Sequence, residues 1–284
     1  MRKIKLFLIG CFFSFGAFSQ DELLDMLESE ESQEEIFTIA TFKGTRLING
    51  HSVEIRQPGD LEFIIGHRFG TLNSGYKQFF GLDESNIRLA LEYGIADNLN
   101  IGVGRSSFGK VLDAFLKYRI LRQSNSIPVT VTAFTSIARE TIEDPKFEEG
   151  LERNSYTAQI LIARKFSSNL SLQLMPTVIQ RNLVKTQKDD NLLIAVGVGG
   201  RYKLNQRLAI NAEYYPQLSN YSNQFNNSFA IGVDIETGGH VFQLQLTNAV
   251  QMNEQGFIGE TTDDFFKGDI HYGFNISRTF VLKH

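Results

Sequence analysis

The sequence lacks several features that other classes of protein need. It has no tryptophan, five prolines and a single cysteine, Cys11, among 284 residues. If residues 1–19 are removed on export, no cysteine remains, which excludes disulfides, a thiol nucleophile and a cysteine-ligated metal. After residue 20, no stretch approaches the roughly 18 consecutive apolar residues of a transmembrane helix. A helical membrane protein is therefore excluded, but a membrane β-barrel is not, because alternate residues of its strands are polar.

A surplus of positive charge is also missing. The chain has 28 Lys and Arg against 32 Asp and Glu, and residues 37–284 are nearly balanced. No basic surface is expected, so we predict no nucleic-acid partner. The five histidines show no short ligand spacing such as HExxH, and no glycine-rich phosphate loop links a strand to a helix. We therefore expect neither a metal nor a cofactor.

The N-terminus has the three parts of a secretory signal peptide. MRKIK is basic, LFLIGCFFSFGAF is apolar, and Ala17 and Ser19 are the small residues that a signal peptidase requires. We predict a signal peptide over residues 1–19 and export of the chain. The sequence up to Cys11 also matches a lipoprotein box, but lipidation would leave the apolar FFSFGAF at the new N-terminus, which disfavours it.

An acidic segment follows the predicted cleavage site. Residues 20–36 contain eight Asp and Glu and no Lys or Arg. Such a run is most often a solvated tail, although Leu23, Leu24, Met26 and Leu27 would also allow a short amphipathic helix that docks on a periplasmic partner.

The stretch NIRLALEYGIADNLNIGVGRSSFG, residues 86–109, shows the pattern that recurs along the rest of the chain. Apolar residues alternate with charged or small ones on both sides of the short turn ADN. This two-residue period predicts a β-hairpin with one apolar face and one polar face. We place the apolar face in lipid, because a charge near the bilayer centre would cost about 2–4 kcal/mol.

Twelve segments follow this pattern, and each is long enough to cross a membrane. About ten residues at roughly 3.3 Å each, tilted by about 45°, rise about 23 Å, which matches the apolar band of an outer membrane. Short turns alternate with long loops, except at the short link near 107–110. The sequence therefore predicts an all-β fold, a twelve-stranded antiparallel transmembrane β-barrel of the outer-membrane type, over residues 59–284. The predicted strands are 60–69, 86–95, 99–106, 111–121, 128–138, 155–166, 170–180, 191–203, 208–216, 228–236, 241–248 and 268–280.

Four stretches resemble a family of bacterial outer-membrane β-barrels. They are ATFKGTRLINGHSVE (40–54), GDLEFIIGHRFG (59–70), NIRLALEYGIADNLNIGVGRSS (86–107) and DAFLKYRILRQ (113–123). The resemblance extends over nearly all of the predicted mature chain and is densest over 40–125. It implies a barrel and an outer-membrane address, and it transfers no activity, substrate or functional residue.

The strand residues that alternate with the lipid-facing ones point into the lumen, and many of them are charged. These candidates are Glu62, Arg68, Arg88, Glu92, Asp113, Lys117, Arg119, Lys165, Arg181, Arg201, Lys203, Glu213, Asp234, Glu236 and His271. One interpretation is a polar conduit with charge rings, and the other is a salt-bridged interior that closes the barrel. Small inward residues favour open space or an inserted segment; they are Ala90, Gly94, Gly102, Gly104, Gly197, Gly199, Ala209 and Gly232.

Residues 37–58 precede the first strand and mix apolar and polar residues. They could plug the barrel or form a strap along its periplasmic rim, and the sequence favours the strap because termini are usually tied only at the surface. We assign residues 20–58 as the acidic segment followed by this strap or plug.

The function that fits these features best is non-enzymatic. We expect a narrow passive channel for small polar solutes, or an envelope scaffold, in the outer membrane of a Gram-negative bacterium, with outer-membrane lipids as partners. The alternative is a lipid-modifying enzyme whose site lies at the outer rim. Ser85 and His67 have outward phase near one loop, with Asp83 close in sequence, and these are the residue types of a nucleophile, a base and an orienting group.

Overall fold

A computed structural model describes residues 35–142, 153–184, 190–219 and 225–282. The predicted signal peptide, 1–19, and residues 20–34 of the acidic segment lie outside these ranges.

The predicted twelve-stranded barrel is confirmed. The strands form one closed antiparallel sheet in which each strand pairs with its neighbours in sequence, and the first pairs with the last, from Asp60 opposite Val281 to Arg68 opposite Gly273. The strands are β1 (Asp60–Thr71), β2 (Ser85–Ala96), β3 (Leu99–Ser106), β4 (Val111–Leu121), β5 (Thr130–Glu140), β6 (Asn154–Lys165), β7 (Leu170–Arg181), β8 (Leu192–Lys203), β9 (Leu208–Tyr215), β10 (Ser228–Thr237), β11 (His240–Thr247) and β12 (His271–Val281).

The connections differ in length at the two ends of the barrel. We call the end with the short turns the turn end; it also holds the start of β1 and the end of β12. The opposite end, the loop end, holds the longer loops, the longest of which links β11 and β12 over residues 248–270. Only the β3–β4 link, residues 107–110, is short at the loop end, as the sequence indicates. Within the described ranges, no helix is long and apolar enough to span a bilayer.

The two faces of the sheet differ as the two-residue period predicts. On β2, Leu89 and Leu91 are exposed on the outside, whereas Arg88, Ala90 and Glu92 are buried inside. Outward-facing aromatic residues lie near both ends of the strands and form the two girdles of a membrane barrel. Those at the turn end include Tyr118, Phe166, Tyr202 and Phe280, and those at the loop end include Phe69, Tyr156, Tyr214 and Tyr272.

We predict that Leu91→Arg impairs barrel assembly, because Leu91 lies at the middle of β2 and is 40% exposed on the lipid-facing side. The cost should be about 2–4 kcal/mol at the bilayer centre and about 0–1 kcal/mol near an interface. The matched control is Ile95→Arg, on the same face at the turn end. The assembled fraction can be measured by heat-dependent migration after refolding into lipid vesicles. Equal assembly of both variants would contradict the assigned faces.

Candidate functional site

The N-terminal part of the described chain enters the barrel. Residues 37–40 lie at the turn end, where the Thr38 amide donates to the Gln123 carbonyl at 2.7 Å and the Lys165 ammonium donates to the Ile39 carbonyl at 2.8 Å. The chain then turns into the lumen, so the strap along the rim that the sequence favours is limited to this short stretch. Residues 41–54, which we call the lumen hairpin, fold back on themselves through bonds between Leu47 and Gly50 (2.8 Å) and between Ser52 and Thr45 (2.9 Å).

A second segment enters the lumen from the loop end. Residues 251–261 of the β11–β12 loop, which we call the inserted loop, are all buried and contain a short helix, α1 (Glu254–Gly259). The two inserts meet inside the barrel, where an Arg46 guanidinium nitrogen lies 3.1 Å from a Glu254 carboxylate oxygen. The same oxygen lies 3.4 Å from Nε2 of His51. The lumen is therefore occupied from both ends.

One half of the lumen is apolar. Inward side chains of β4–β9 form a buried cluster with residues of both inserts, and we call this side the apolar half. Phe42, Leu47 and Val53 of the lumen hairpin and Phe257 and Ile258 of the inserted loop pack there. The wall contributes Phe134, Leu161, Ala163, Met175, Ile179, Leu193 and Ala195. This apolar interior was not predicted, because the charged and small residues of the inward face carry no sign of it.

The small inward residues make room for neighbouring side chains of the lumen hairpin or of the barrel wall. A Cβ atom at Gly199 would lie 2.3 Å from Cδ2 of Leu47, and one at Gly50 would lie 1.8 Å from the Tyr215 hydroxyl oxygen. Real Cβ contacts are never this short, so larger residues at these positions would displace the hairpin. Gly199 therefore makes room for the lumen hairpin, whereas Gly102, Gly104 and Gly197 make room for the wall side chains of Phe115, Arg88 and Tyr215 rather than leaving open space.

Glu213 on β9 holds the tip of the lumen hairpin. Its carboxylate accepts hydrogen bonds from the backbone amides of Ile48 (3.3 Å), Asn49 (2.7 Å) and Gly50 (3.2 Å). Such charge-assisted bonds to backbone amides are stronger than bonds between neutral groups. Because a tight turn leaves its amides pointing outward, a buried carboxylate is a well-matched acceptor for all three.

Uncharged polar side chains on the wall satisfy the rest of the hairpin backbone. Gln173 accepts from the Val53 amide at 2.9 Å and donates to the His51 carbonyl at 2.7 Å. Gln243 donates to the Leu47 carbonyl at 2.6 Å, and Asn275 donates to the Ile48 carbonyl at 3.0 Å. These anchors are uncharged and so were not among the predicted lumen charges; the signal for them in the sequence is their inward phase along the strands.

Most of the predicted lumen charges form ion pairs. Each pair neutralises two groups that would otherwise be costly to bury, and removing one partner of such a pair typically costs about 3–5 kcal/mol. The pairs are Arg56–Glu62 (3.3 Å), Arg88–Asp113 (2.7 Å), Lys117–Glu92 (3.5 Å), Arg201–Glu236 (2.7 Å) and Arg201–Asp234 (3.7 Å). The arrangement resembles the salt-bridged interior more than a set of charge rings.

Arg68 differs from the paired cations. Its guanidinium is buried and donates to the Asn49 side-chain oxygen at 2.8 Å and to the His67 carbonyl at 2.9 Å. It therefore ties β1 to the hairpin tip through neutral oxygens.

The remaining predicted candidates lie near the two ends of the lumen. Arg119 donates to the Asp97 carbonyl at 2.6 Å at the turn end, where Lys203 is half-buried and Lys165 holds residue 39. At the loop end, Arg181 donates to the Asp190 carbonyl at 2.6 Å. There too, Nε2 of His271 lies 2.7 Å from the Asp263 carboxylate.

His51 is the one histidine on the lumen hairpin. Its ring is fully buried and packs against Phe115 and Phe134 at centroid distances of 4.6 and 4.3 Å. Burial, reinforced by the charges of Arg46 and Lys117, lowers the pKa of His51 well below its ordinary value. The ring is therefore neutral at pH 7, and Glu254 relies on Arg46 for its counter-charge.

The other half of the lumen is polar and holds cavities in series. We call this side, formed by β1, β2 and β10–β12, the polar half. A cavity of about 580 Å³ opens at the turn end, and a second of about 30 Å³ shares Glu62 and Ser277 with it. A third, of about 20 Å³, shares Arg46 and Asn275 with the second and is bordered by Met252 of the inserted loop. The series of cavities is therefore narrowest where Arg46 borders the second and third cavities.

The part of the sequence that forms the barrel and the lumen hairpin matches a known protein family. The model of the family described as "Membrane bound beta barrel domain (DUF5777)" matches residues 42–280. The chain belongs to this family. The match begins at Phe42, within the lumen hairpin, and ends near the end of β12.

Three of the solved structures that match this chain are two porins and one outer membrane channel. The NanC porin is 11% identical with a TM-score of 0.49 and covers 79% of this chain and 100% of its own. The KdgM porin is 9% identical, with a TM-score of 0.48 and coverage of 78% and 99%. The COG4313 outer membrane channel from Pseudomonas putida F1 is 13% identical, with a TM-score of 0.48 and coverage of 80% and 97%. No curated protein matches this chain in sequence.

Two of the three residues considered for a rim enzyme lie together. Nε2 of His67 on β1 is 2.8 Å from the Ser85 hydroxyl oxygen on β2, on the outer face near the loop end. The His67 ring stacks on Phe274 at 5.0 Å. In the described part of the chain, Nδ1 of His67 has no hydrogen-bond partner, and Asp83 bonds to neither residue. The structure thus holds a serine–histidine pair without an orienting carboxylate.

We predict that Glu213→Ala loosens the tip of the lumen hairpin, because three backbone amides lose their acceptor. A hydrogen bond to a charged group contributes about 1.5–3 kcal/mol, so amide exchange at residues 48–50 should rise at least about tenfold. Hydrogen–deuterium exchange of the peptide covering the hairpin measures this change. Glu213→Gln, which keeps one carbonyl oxygen, should show a smaller increase. Unchanged exchange in Glu213→Ala would contradict the anchoring role.

Proposed function

We propose that this protein is a narrow passive channel for small polar solutes in the outer membrane, with a path along the polar half of the lumen. The observation that carries the proposal is the series of three cavities beside the lumen hairpin, which narrows from about 580 Å³ to about 30 and 20 Å³. The path is bordered by charges of both signs, including Glu62, Asp234, Arg46 and Arg68. A lining of this kind suits water, small ions and small polar molecules.

The size of the narrow cavities limits what passes at rest. A cavity needs roughly 10–15 Å³ of probe-occupied volume to hold one water molecule, so each narrow cavity holds about one or two. Larger solutes require movement of side chains at the constriction. Arg46 and Met252 are suited to such movement, because both side chains are long and flexible.

The lumen hairpin acts in this proposal as a fixed wall rather than as a removable plug. Phe42, Leu47 and Val53 are almost fully buried in the apolar half. Exposing an apolar side chain of this size costs about 1.5–3 kcal/mol, and the hydrogen bonds to Glu213 and the wall amides would also be lost. Conduction beside the hairpin avoids these costs.

The outer-membrane address and the orientation belong to the same proposal. The closed antiparallel barrel, its apolar outer face and its aromatic girdles fit a bacterial outer membrane. In such barrels the short turns face the periplasm and the longer loops face outward. The cavity of about 580 Å³ would then open to the periplasm.

We predict that Arg46→Ala increases single-channel conductance in planar bilayers and shifts selectivity towards cations. The change removes the side chain shared by the two narrow cavities and leaves Glu62, Asp234 and Glu254 in excess near it. The matched control is Arg207→Ala, which removes an arginine bordering only the wide cavity and should leave conductance nearly unchanged.

Two results would overturn the channel proposal. If the wild type and Arg46→Ala both reconstitute as folded barrels and both stay silent over the accessible voltage range, the protein is a closed envelope scaffold. If Arg46→Ala and Arg207→Ala change conductance equally, the path does not narrow at Arg46.

A second candidate function is favoured by one specific observation, the 2.8 Å distance between His67 Nε2 and the Ser85 hydroxyl. A serine activated by a histidine at the lipid-facing rim could attack an acyl ester of a neighbouring lipid. We nevertheless infer that the protein is not an enzyme, because His67 has no orienting group within the described chain. Without one, the ring is not held in the tautomer that a general base needs.

The enzyme alternative has a direct test. We expect no release of fatty acid when purified protein is incubated with phospholipid vesicles and the products are measured by mass spectrometry. Turnover that disappears in Ser85→Ala and persists in Ser107→Ala would establish the alternative. Ser107 is the matched control, since it is also a serine near the loop end but bonds to the Ile87 amide at 2.8 Å rather than to a histidine.

A further inference from the structure

The lipid-facing surface near the loop end carries charge at only one place. We compared the two outward-facing residues nearest the loop end of each of the twelve strands, all of which lie in the described chain. Ten strands present only apolar or uncharged polar residues there, such as Tyr156 on β6 and Tyr272 on β12. The two exceptions are Arg105 on β3 and Arg139 on β5. Both are positive, and no negative residue accompanies them in these outward positions.

The two arginines are near neighbours across the sheet. Arg105 lies opposite Leu112 of β4, and Leu112 lies opposite Arg139 of β5. Because neighbouring strands are about 4.8 Å apart, the two arginine backbones are separated by roughly 10 Å. Leu112 is 52% exposed between them, and Lys110, also exposed, adds a third cation at the start of β4.

The link directly above this surface is the shortest at the loop end. The β3–β4 link contains only residues 107–110, whereas the links on either side span residues 72–84 and 141–153. A short link leaves Arg105 and Lys110 uncovered by chain from β3 or β4. The short β3–β4 link therefore leaves room for a ligand to reach Arg105 and Lys110.

The surface is also held in shape. The Lys110 carbonyl accepts hydrogen bonds from the Thr141 amide (3.2 Å), from the Thr141 hydroxyl (2.6 Å) and from the Arg105 guanidinium. Lys110 has a φ of 45°, in the left-handed region that a lysine rarely adopts. Such strain persists where surrounding contacts fix the backbone, and here it directs the carbonyl towards Arg105.

No carboxylate neutralises these cations in the described chain. Arg105, Lys110 and Arg139 form no ion pair there, unlike Arg88 and Arg201 in the lumen. Three like charges this close repel one another within a Debye length of about 8–10 Å. An anion from outside the described chain would relieve this repulsion, and arginine binds phosphate oxygens well because its planar fork matches their geometry.

We propose that Arg105, Lys110 and Arg139, with Leu112 at their centre, bind the headgroup of a lipid that carries two phosphates in the adjoining leaflet. The separation of the two arginines favours two phosphates on one headgroup over a single phosphate. The acyl chains would lie against Leu112 and the outward residues below it, such as Val103 and Ile137. The proposal rests on the membrane orientation proposed above but does not depend on conduction.

The test uses the full-length protein purified in detergent and native mass spectrometry with three lipids: diphosphorylated lipid A, phosphatidylglycerol and phosphatidylcholine. We expect the wild type to retain diphosphorylated lipid A at least about tenfold better than the variant Arg105→Gln/Arg139→Gln. Phosphatidylglycerol should bind more weakly, and phosphatidylcholine should show no dependence on the arginines. Heat-dependent migration confirms that each variant is folded.

The matched control is Arg164→Gln/Arg278→Gln. Like Arg105 and Arg139, these arginines face outward, but they lie at the turn end. Their guanidinium groups lie over the rings of Phe166 and Phe280. This variant should bind diphosphorylated lipid A as the wild type does.

Three results would overturn the proposal. Equal loss of lipid in both double variants would show non-specific attraction to positive charge. Equal retention of lipid A and phosphatidylglycerol by the wild type would exclude recognition of two phosphates. Absence of any lipid adduct on the wild type would exclude a retained lipid at this surface. Conductance measurements distinguish each of these results from failure of the channel proposal.

Discussion

Closure of the β-sheet is the constraint on which the rest of the structure depends. Backbone amides and carbonyls have no water to bond with in the hydrocarbon region, so an open sheet edge is not tolerated there. The pairing of β1 with β12 removes both edges. Closure also divides the side chains of every strand between lipid and an enclosed interior. Lipid accepts any apolar residue, whereas the interior must be either filled or hydrated. In this protein inserted segments fill one side with apolar side chains, and the other side holds cavities with polar linings.

The division of the interior gives each insert a structural purpose. On the apolar half, the lumen hairpin and the inserted loop complete a core that the wall alone leaves open. On the polar half, the same hairpin narrows the remaining space to cavities of molecular size. Arg46 belongs to both roles, because it joins the inserts through Glu254 and also borders the narrow cavities. Stability and the proposed selectivity therefore depend on the same contacts.

Much of the fold could be predicted from the sequence, and the reason is local. Residues such as Leu91 and Arg88 reveal the phase of a strand within a few positions, so the twelve strands, their approximate bounds and their inward charges could be assigned. The lumen hairpin was harder to predict. Its backbone is satisfied by Gln173, Gln243 and Asn275, which lie more than one hundred residues away along the chain. No short pattern links a glutamine on β7 to a carbonyl of residue 51, so the sequence favoured a strap at the rim.

The sequence by itself determined which side of the sheet each strand residue occupies, because that choice follows from a two-residue alternation and the cost of charge in lipid. Only the tertiary structure decided what fills the barrel, which carboxylates pair with which cations, and that Arg105 and Arg139 flank Leu112 beside the short β3–β4 link. These features arise from contacts between segments distant in sequence. These contacts can contribute to stability only after the sheet has closed and brought those segments together.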